Sequence, residues 1–167
     1  MDLSPFHGWI VFIHILGVFG FLLAHGVSAA VLLRLRNERD PGAVRTLVDL
    51  SRRSMIAMIV GGLVWLAAGI LAGFSGNYWT TGTYWIWASL LVAFVIIGVM
   101  TPYGRLYLDR VRGAVGIDPK TGTVDSAHQV DPQALEAAIS SGRPMLVAAI
   151  GVGGVIVLAW LMMFKPF

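Results

Sequence analysis

The stretch WIVFIHILGVFGFLLAHGVSAAVLL, residues Trp9–Leu33, runs straight into RLRNERDP, residues 34–41. The first part contains no Asp, Glu, Lys or Arg, and the second brings three arginines within six positions. About 20 apolar residues rising 1.5 Å each cross roughly 30 Å of hydrocarbon. A helix over Trp9–Leu33 is therefore long enough to span a bilayer, and the charges mark where it leaves. Three more runs read the same way: Met55–Phe74, Tyr84–Met100 with an extension toward Tyr103, and Met145–Phe164. None holds an acidic or basic side chain. The runs are continuously apolar rather than alternating, and four strands cannot close a barrel, so helices are expected. The fold class is all-α: a four-helix transmembrane bundle forming a single domain over residues 1–167. Its helices fall at about 9–33, 55–74, 84–103 and 145–164, with loops at 34–54 and 104–144.

Composition agrees. Hydrophobic residues make up 57% of the chain and charged residues only 13%, against about 25% charge in a typical soluble domain. There is no cysteine, which excludes disulfides, thiolate metal sites and thiol catalysis. Residues Met1–Gly8 contain Asp2 but no Lys or Arg. They lack the positive start of a cleavable signal, so the first helix is expected to be retained. The net charge of +3 is too small to point to nucleic acid.

The placement of the basic residues predicts orientation. Arg34, Arg36, Arg39, Arg45, Arg52 and Arg53 follow the first run; Arg105, Arg110, Arg112, Lys120 and Arg143 lie between the third and fourth. Only Lys165 falls on the other side. The positive-inside rule makes the arginine-rich loops cytoplasmic, with N-out/C-out termini and the Asn77 loop outside. Phe6, Trp9, Tyr78, Trp79, Tyr84, Trp85, Trp87, Trp160 and Phe164 would form an aromatic belt at the outer interface, with Tyr103 and Tyr107 near the inner one. Asp40-Pro41 and Asp131-Pro132 are cap-plus-proline starts. They predict short interfacial cytoplasmic helices, one on the membrane surface after Pro41 and one over Gln133–Ser140. Residues 113–129 are rich in turn formers and read as an exposed loop, while Pro144 opens the last helix.

Small residues mark helix packing. Gly20, Ala24 and Ser28 stand four apart, and Gly69 and Gly73 form a GxxxG step. Only His14 and His25 are ionisable within a membrane run, and such groups are functional candidates. Eleven residues separate them, which returns them to one helix face about 16 Å apart, too far to share one metal ion. Haem b or copper would suit such histidines, with Met58, Met100 or Met162 as a second ligand. The other reading has each imidazole bonding a neighbouring helix. His7 and Asp2 could form an outward-facing pair, and His128 reads as solvated. The chain holds no HExxH, Walker, GxSxG or dinucleotide motif, so no enzyme is expected. The arginines of 34–53 suit anionic lipid headgroups.

Three stretches carry a family likeness: FIHILGVFGFLLAHG, the arginine-rich loop after it, and GRPMLVAAIGVGGVIVLAWLMMFKPF. This pattern resembles a family of uncharacterised small bacterial four-helix membrane proteins and, distantly, the copper-resistance D (CopD-like) membrane proteins. The resemblance implies a multi-pass protein of the bacterial inner (plasma) membrane without assigned activity, and copper handling only through the distant relatives. The expected function is a non-enzymatic accessory subunit or small homo-oligomer, alone or with a membrane-complex partner. The alternative is a haem- or copper-binding membrane protein, in electron transfer or metal handling, using His14 and His25.

Overall fold

The computed structural model describes residues 3–80, 82–118, 121–124 and 130–167. Asp2, Lys120 and His128, which the sequence reading named, lie outside them. A 3-10 turn, Ser4–Phe6, leads into α1 (His7–Leu35). Then follow α2 (Pro41–Ser75), α3 (Tyr84–Ala114), α4 (Pro132–Ile139) and α5 (Arg143–Phe164). Four segments are long and apolar enough to cross a membrane: Ser4–Leu35, Pro41–Ser75, Tyr84–Ala114 and Pro132–Phe164.

Two helices are longer than expected. The surface helix predicted after Pro41 is instead the first part of α2. Asp40 caps that helix by accepting a 2.7 Å bond from Ala43 N, and nothing then breaks it before Ser75. At 1.5 Å per residue α2 is about 52 Å long, well beyond the hydrocarbon thickness. Its early residues Val44, Val48 and Ser51 are buried against neighbouring helices, which is why it continues instead of turning along a surface. Likewise α3 runs through Pro102 to Ala114. Proline removes the bond to the carbonyl four residues back and crowds it; that residue is Gly98, which adds no side chain to the crowding. The loop expected over 113–129 therefore begins only after Ala114, and its start is not exposed. Val115 and Ile117 are buried, Arg45 Nε donates to the Val115 carbonyl at 2.8 Å, and Gly122 turns at φ +71°. The predicted short helix is present as α4, capped by Asp131, which accepts from Gln133 N and Ala134 N.

α1 lies antiparallel along α2, and α3 along α5. The α1–α2 seam repeats every seven residues. His7 meets Ser75 and Gly76, His14 meets Gly69, Phe21 meets Gly62, and Ser28 bonds Ser54. A seven-residue period is the signature of left-handed, coiled-coil-like packing. Glycines make it tight. A Cβ at Gly17 would lie 2.5 Å from Trp65 N, and one at Gly61 would lie 2.7 Å from Phe21 N. Close backbones gain van der Waals contact that lipid cannot replace.

The main cluster of buried side chains sits at the arginine-rich end, beyond the middle of the spans. Leu35, Val44, Tyr107, Val111, Leu135 and Ile139 belong to it. The projecting ends of α1, α2 and α3 join α4 and the start of α5 there to bury a water-type core. Along the apolar spans many large side chains, among them Leu23, Leu63, Leu91 and Ile156, stay exposed, as expected where lipid is the solvent. The opposite end is aromatic. Trp79 lies against Phe74 and Trp87, and Lys165 Nζ sits 5.1 Å and 5.2 Å from the Tyr78 and Trp85 rings. The Trp85 amide donates to the Phe167 carbonyl, which ties the chain end to the start of α3. Tyr107, expected near the inner interface, is buried in the core instead of facing outward.

Candidate functional site

The histidines of α1 divide into two kinds. Ser75 Oγ donates to the Ala72 carbonyl, so at 2.7 Å its oxygen accepts from His7 Nδ1. His14 Nδ1 donates to the Trp65 carbonyl at 2.9 Å. Each ring therefore carries a proton on Nδ1, as assigned from its partner. Glycine opens the space for each ring. A Cβ at Gly69 would lie 2.9 Å from His14 Cε1, and one at Gly76 would lie 2.9 Å from His7 Cε1. His14 is thus spent on holding α1 to α2.

His25 is different. It shares the predicted stripe with His14 but meets other helices. Its ring stacks on Phe21 at 5.7 Å and 5°, while its Nε2 is buried and has no hydrogen-bond partner. Nε2 and the Met100 methyl lie 2.6 Å and 2.9 Å from the point where a Gly151 Cβ would sit. One residue each from α1, α3 and α5 thereby converges where the two hairpins touch. Met100, one of the methionines named from the sequence, meets His25 beside Gly151. An imidazole lone pair beside a thioether is a soft donor set suited to Cu(I). The α5 backbone at Gly151 packs close beside Nε2. No three His, Asp or Glu side chains gather as a metal cluster among the described residues.

The small residues chosen from the sequence take distinct roles. Ala24 is buried. Ser28 donates to Ser54 Oγ at 2.7 Å, and Ser54 in turn donates to the Ser51 carbonyl. Gly69 receives His14, and Gly73 receives the Trp79 ring 2.6 Å from its Cβ position. Gly20 contributes only backbone to the seam: its carbonyl carbon lies 3.0 Å from the Gly61 Cβ position, while its own Cβ position meets nothing within 4 Å.

No family model, curated protein or solved structure matches the chain.

At the arginine-rich end, residues that the sequence marks as topology or belt signals meet acids and hydroxyls that it does not mark. Arg39 Nε pairs with Glu136 at 2.6 Å and ties the α1–α2 turn to α4. Asp109 pairs with both Arg105 and Arg112. Tyr107, Arg110, Ser141 and Arg143 line a cavity of about 310 Å³. They come from α3, from α5 and from the link between α4 and α5, and no sequence spacing announces that they meet.

Proposed function

We propose that this chain is a non-enzymatic membrane component that works by lateral association, as a small homo-oligomer or an accessory subunit of a membrane complex. In this reading it lies in the bacterial inner membrane with its arginine-rich end in the cytoplasm. The supporting observation is how polar and small residues are used. Within the spans, His7, His14, Ser28 and Ser89 are all committed to bonds inside the chain. On the second hairpin, Gly98 of α3 and Gly153 of α5 are exposed, with nothing within 4 Å of their Cβ positions. Outward glycines let another helix approach closely. The test is native mass spectrometry of the full chain extracted in mild detergent. The expected result is more than one copy, or one partner at fixed stoichiometry, with Gly98→Leu/Gly153→Leu reducing the assembly while the helical spectrum persists. A single copy without partner, from detergent and from nanodiscs alike, would overturn the reading.

A second reading rests on His25. An unpartnered, buried Nε2 beside Met100 supports a Cu(I) site at the junction of the hairpins. Titration of Cu(I) against a chromophoric chelator checks it. One ion per chain is expected, lost in His25→Ala and weakened in Met100→Leu, while His14→Ala binds normally. Equal binding by wild type and His25→Ala excludes it.

A further inference from the structure

The cavity at the arginine-rich end lies between the last turns of α3, the helix α4 and the start of α5. Its volume of about 310 Å³ equals roughly ten waters and reaches the lower end of the range for small-ligand sites. Alanines of α4 form one wall, and the polar lining is Tyr107, Arg110, Ser141 and Arg143. Tyr107 is 1% exposed, yet its hydroxyl has no hydrogen-bond partner among the described residues. Buried phenols ordinarily find one.

The charged side chains lining this cavity are both arginines, Arg110 and Arg143. Neither Arg110 nor Arg143 pairs with a carboxylate among the described residues. The nearest acids along the chain are already engaged, Asp109 by Arg105 and Arg112 and Glu136 by Arg39. Arg36 is a third guanidinium close enough to act on Tyr107. Asp40 and Asp131 cap α2 and α4, but α5 opens at Gly142 without a side-chain cap, so the positive end of its dipole adds to the same field. Two guanidiniums, a phenol donor and no facing acid define an acceptor-rich anion as the missing partner.

We propose that this cavity binds a phosphate group, gripped by Arg110 and Arg143, with the Tyr107 hydroxyl as its buried donor. Tyr107 stands about 35 Å along α3 from Tyr84, just past roughly 30 Å of hydrocarbon and at the depth of lipid phosphates. An anionic lipid headgroup and a free phosphate offer the same oxygens, so the experiment separates the two sources.

The full chain in a neutral sugar detergent is titrated with short-chain phosphatidylglycerol, short-chain phosphatidylcholine and inorganic phosphate. Calorimetry gives affinity and native mass spectrometry gives stoichiometry. The expected result is one phosphatidylglycerol per chain, bound at least ~10-fold more tightly than phosphatidylcholine. Arg110→Gln/Arg143→Gln removes that preference, and Tyr107→Phe weakens it with an unchanged helical spectrum. The surface variant Arg53→Gln leaves it intact. If inorganic phosphate saturates the site and displaces the lipid, free phosphate is the ligand; if it does not displace it, the lipid is. The proposal is overturned if neither probe binds, or if the folded double variant binds phosphatidylglycerol as tightly as wild type.

Discussion

Substituting Gly17 by alanine should damage the α1–α2 seam, whereas the same change at Gly20, three residues on, should not. A Cβ at Gly17 meets Trp65 N at 2.5 Å, Trp65 Cα at 2.8 Å and Val64 C at 3.1 Å. All three are backbone atoms, so no side chain can swing aside. Ordinary carbon contacts are about 3.5–4.0 Å, so the helices must part locally by on the order of 1 Å. A gap of that size forfeits roughly a quarter to a half of the attraction of each contact that it opens. Overpacking of this kind costs about 1–3 kcal/mol, and the better helix propensity of alanine offsets up to ~1 kcal/mol. The net expectation is about 1–2 kcal/mol of destabilisation for Gly17→Ala. Gly20→Ala meets nothing within 4 Å and should be neutral or slightly stabilising. A difference of about 2 kcal/mol between the variants is roughly 30-fold in the unfolding equilibrium. The assay is reversible unfolding by SDS in mixed micelles, followed by tryptophan emission, with Trp65 reporting from the seam itself. Identical unfolding midpoints for the two variants would refute the close backbone approach.

Ser28→Ala removes the bond to Ser54, but Ser54 keeps its bond to the Ser51 carbonyl, so no buried group is orphaned. The cost should be only about 0.6 kcal/mol, read in the same SDS titration. Asp131→Ala deletes two 3.0 Å capping bonds to Gln133 N and Ala134 N. It should cost about 1 kcal/mol and speed hydrogen exchange in α4 before the spans respond. Arg39→Gln breaks an ion pair whose side chains are each 54% exposed. Its effect should stay below about 1 kcal/mol and vanish in high salt, as thermal unfolding at two ionic strengths would show.

The four apolar runs were legible because lipid demands long, uncharged helices and tolerates few alternatives. Where those helices stop was less legible. Pro41 reads as the start of a short separate helix, and the third run reads as ending near Tyr103. The burial of Val44 and Val48 in one case, and of Tyr107 and Val111 in the other, carries the helix past the membrane edge. The seven-residue spacing of His7 and His14 mirrors that of Gly69 and Gly76, so the seam left a trace in the sequence. It identifies His14 as a packing residue only once the two helices are set side by side. His25 stood out from the start as a charge-capable group in an apolar run. That it faces Met100 and Gly151 depends on how the two hairpins meet, which no single-helix pattern encodes. The cavity residues Tyr107, Arg110 and Arg143 were readable only as belt and topology signals, since they come together through α4, a helix outside the apolar runs.

The most direct test of the account is the sidedness of the two ends. The chain has no cysteine, so single cysteines can be placed at Thr80, between α2 and α3, and at Gln133, at the start of α4, both exposed. A membrane-impermeant maleimide applied to intact cells should label Thr80→Cys. It should label Gln133→Cys only after the membrane is opened. Labelling of both from the same side would contradict a four-crossing bundle with its arginine-rich end inside.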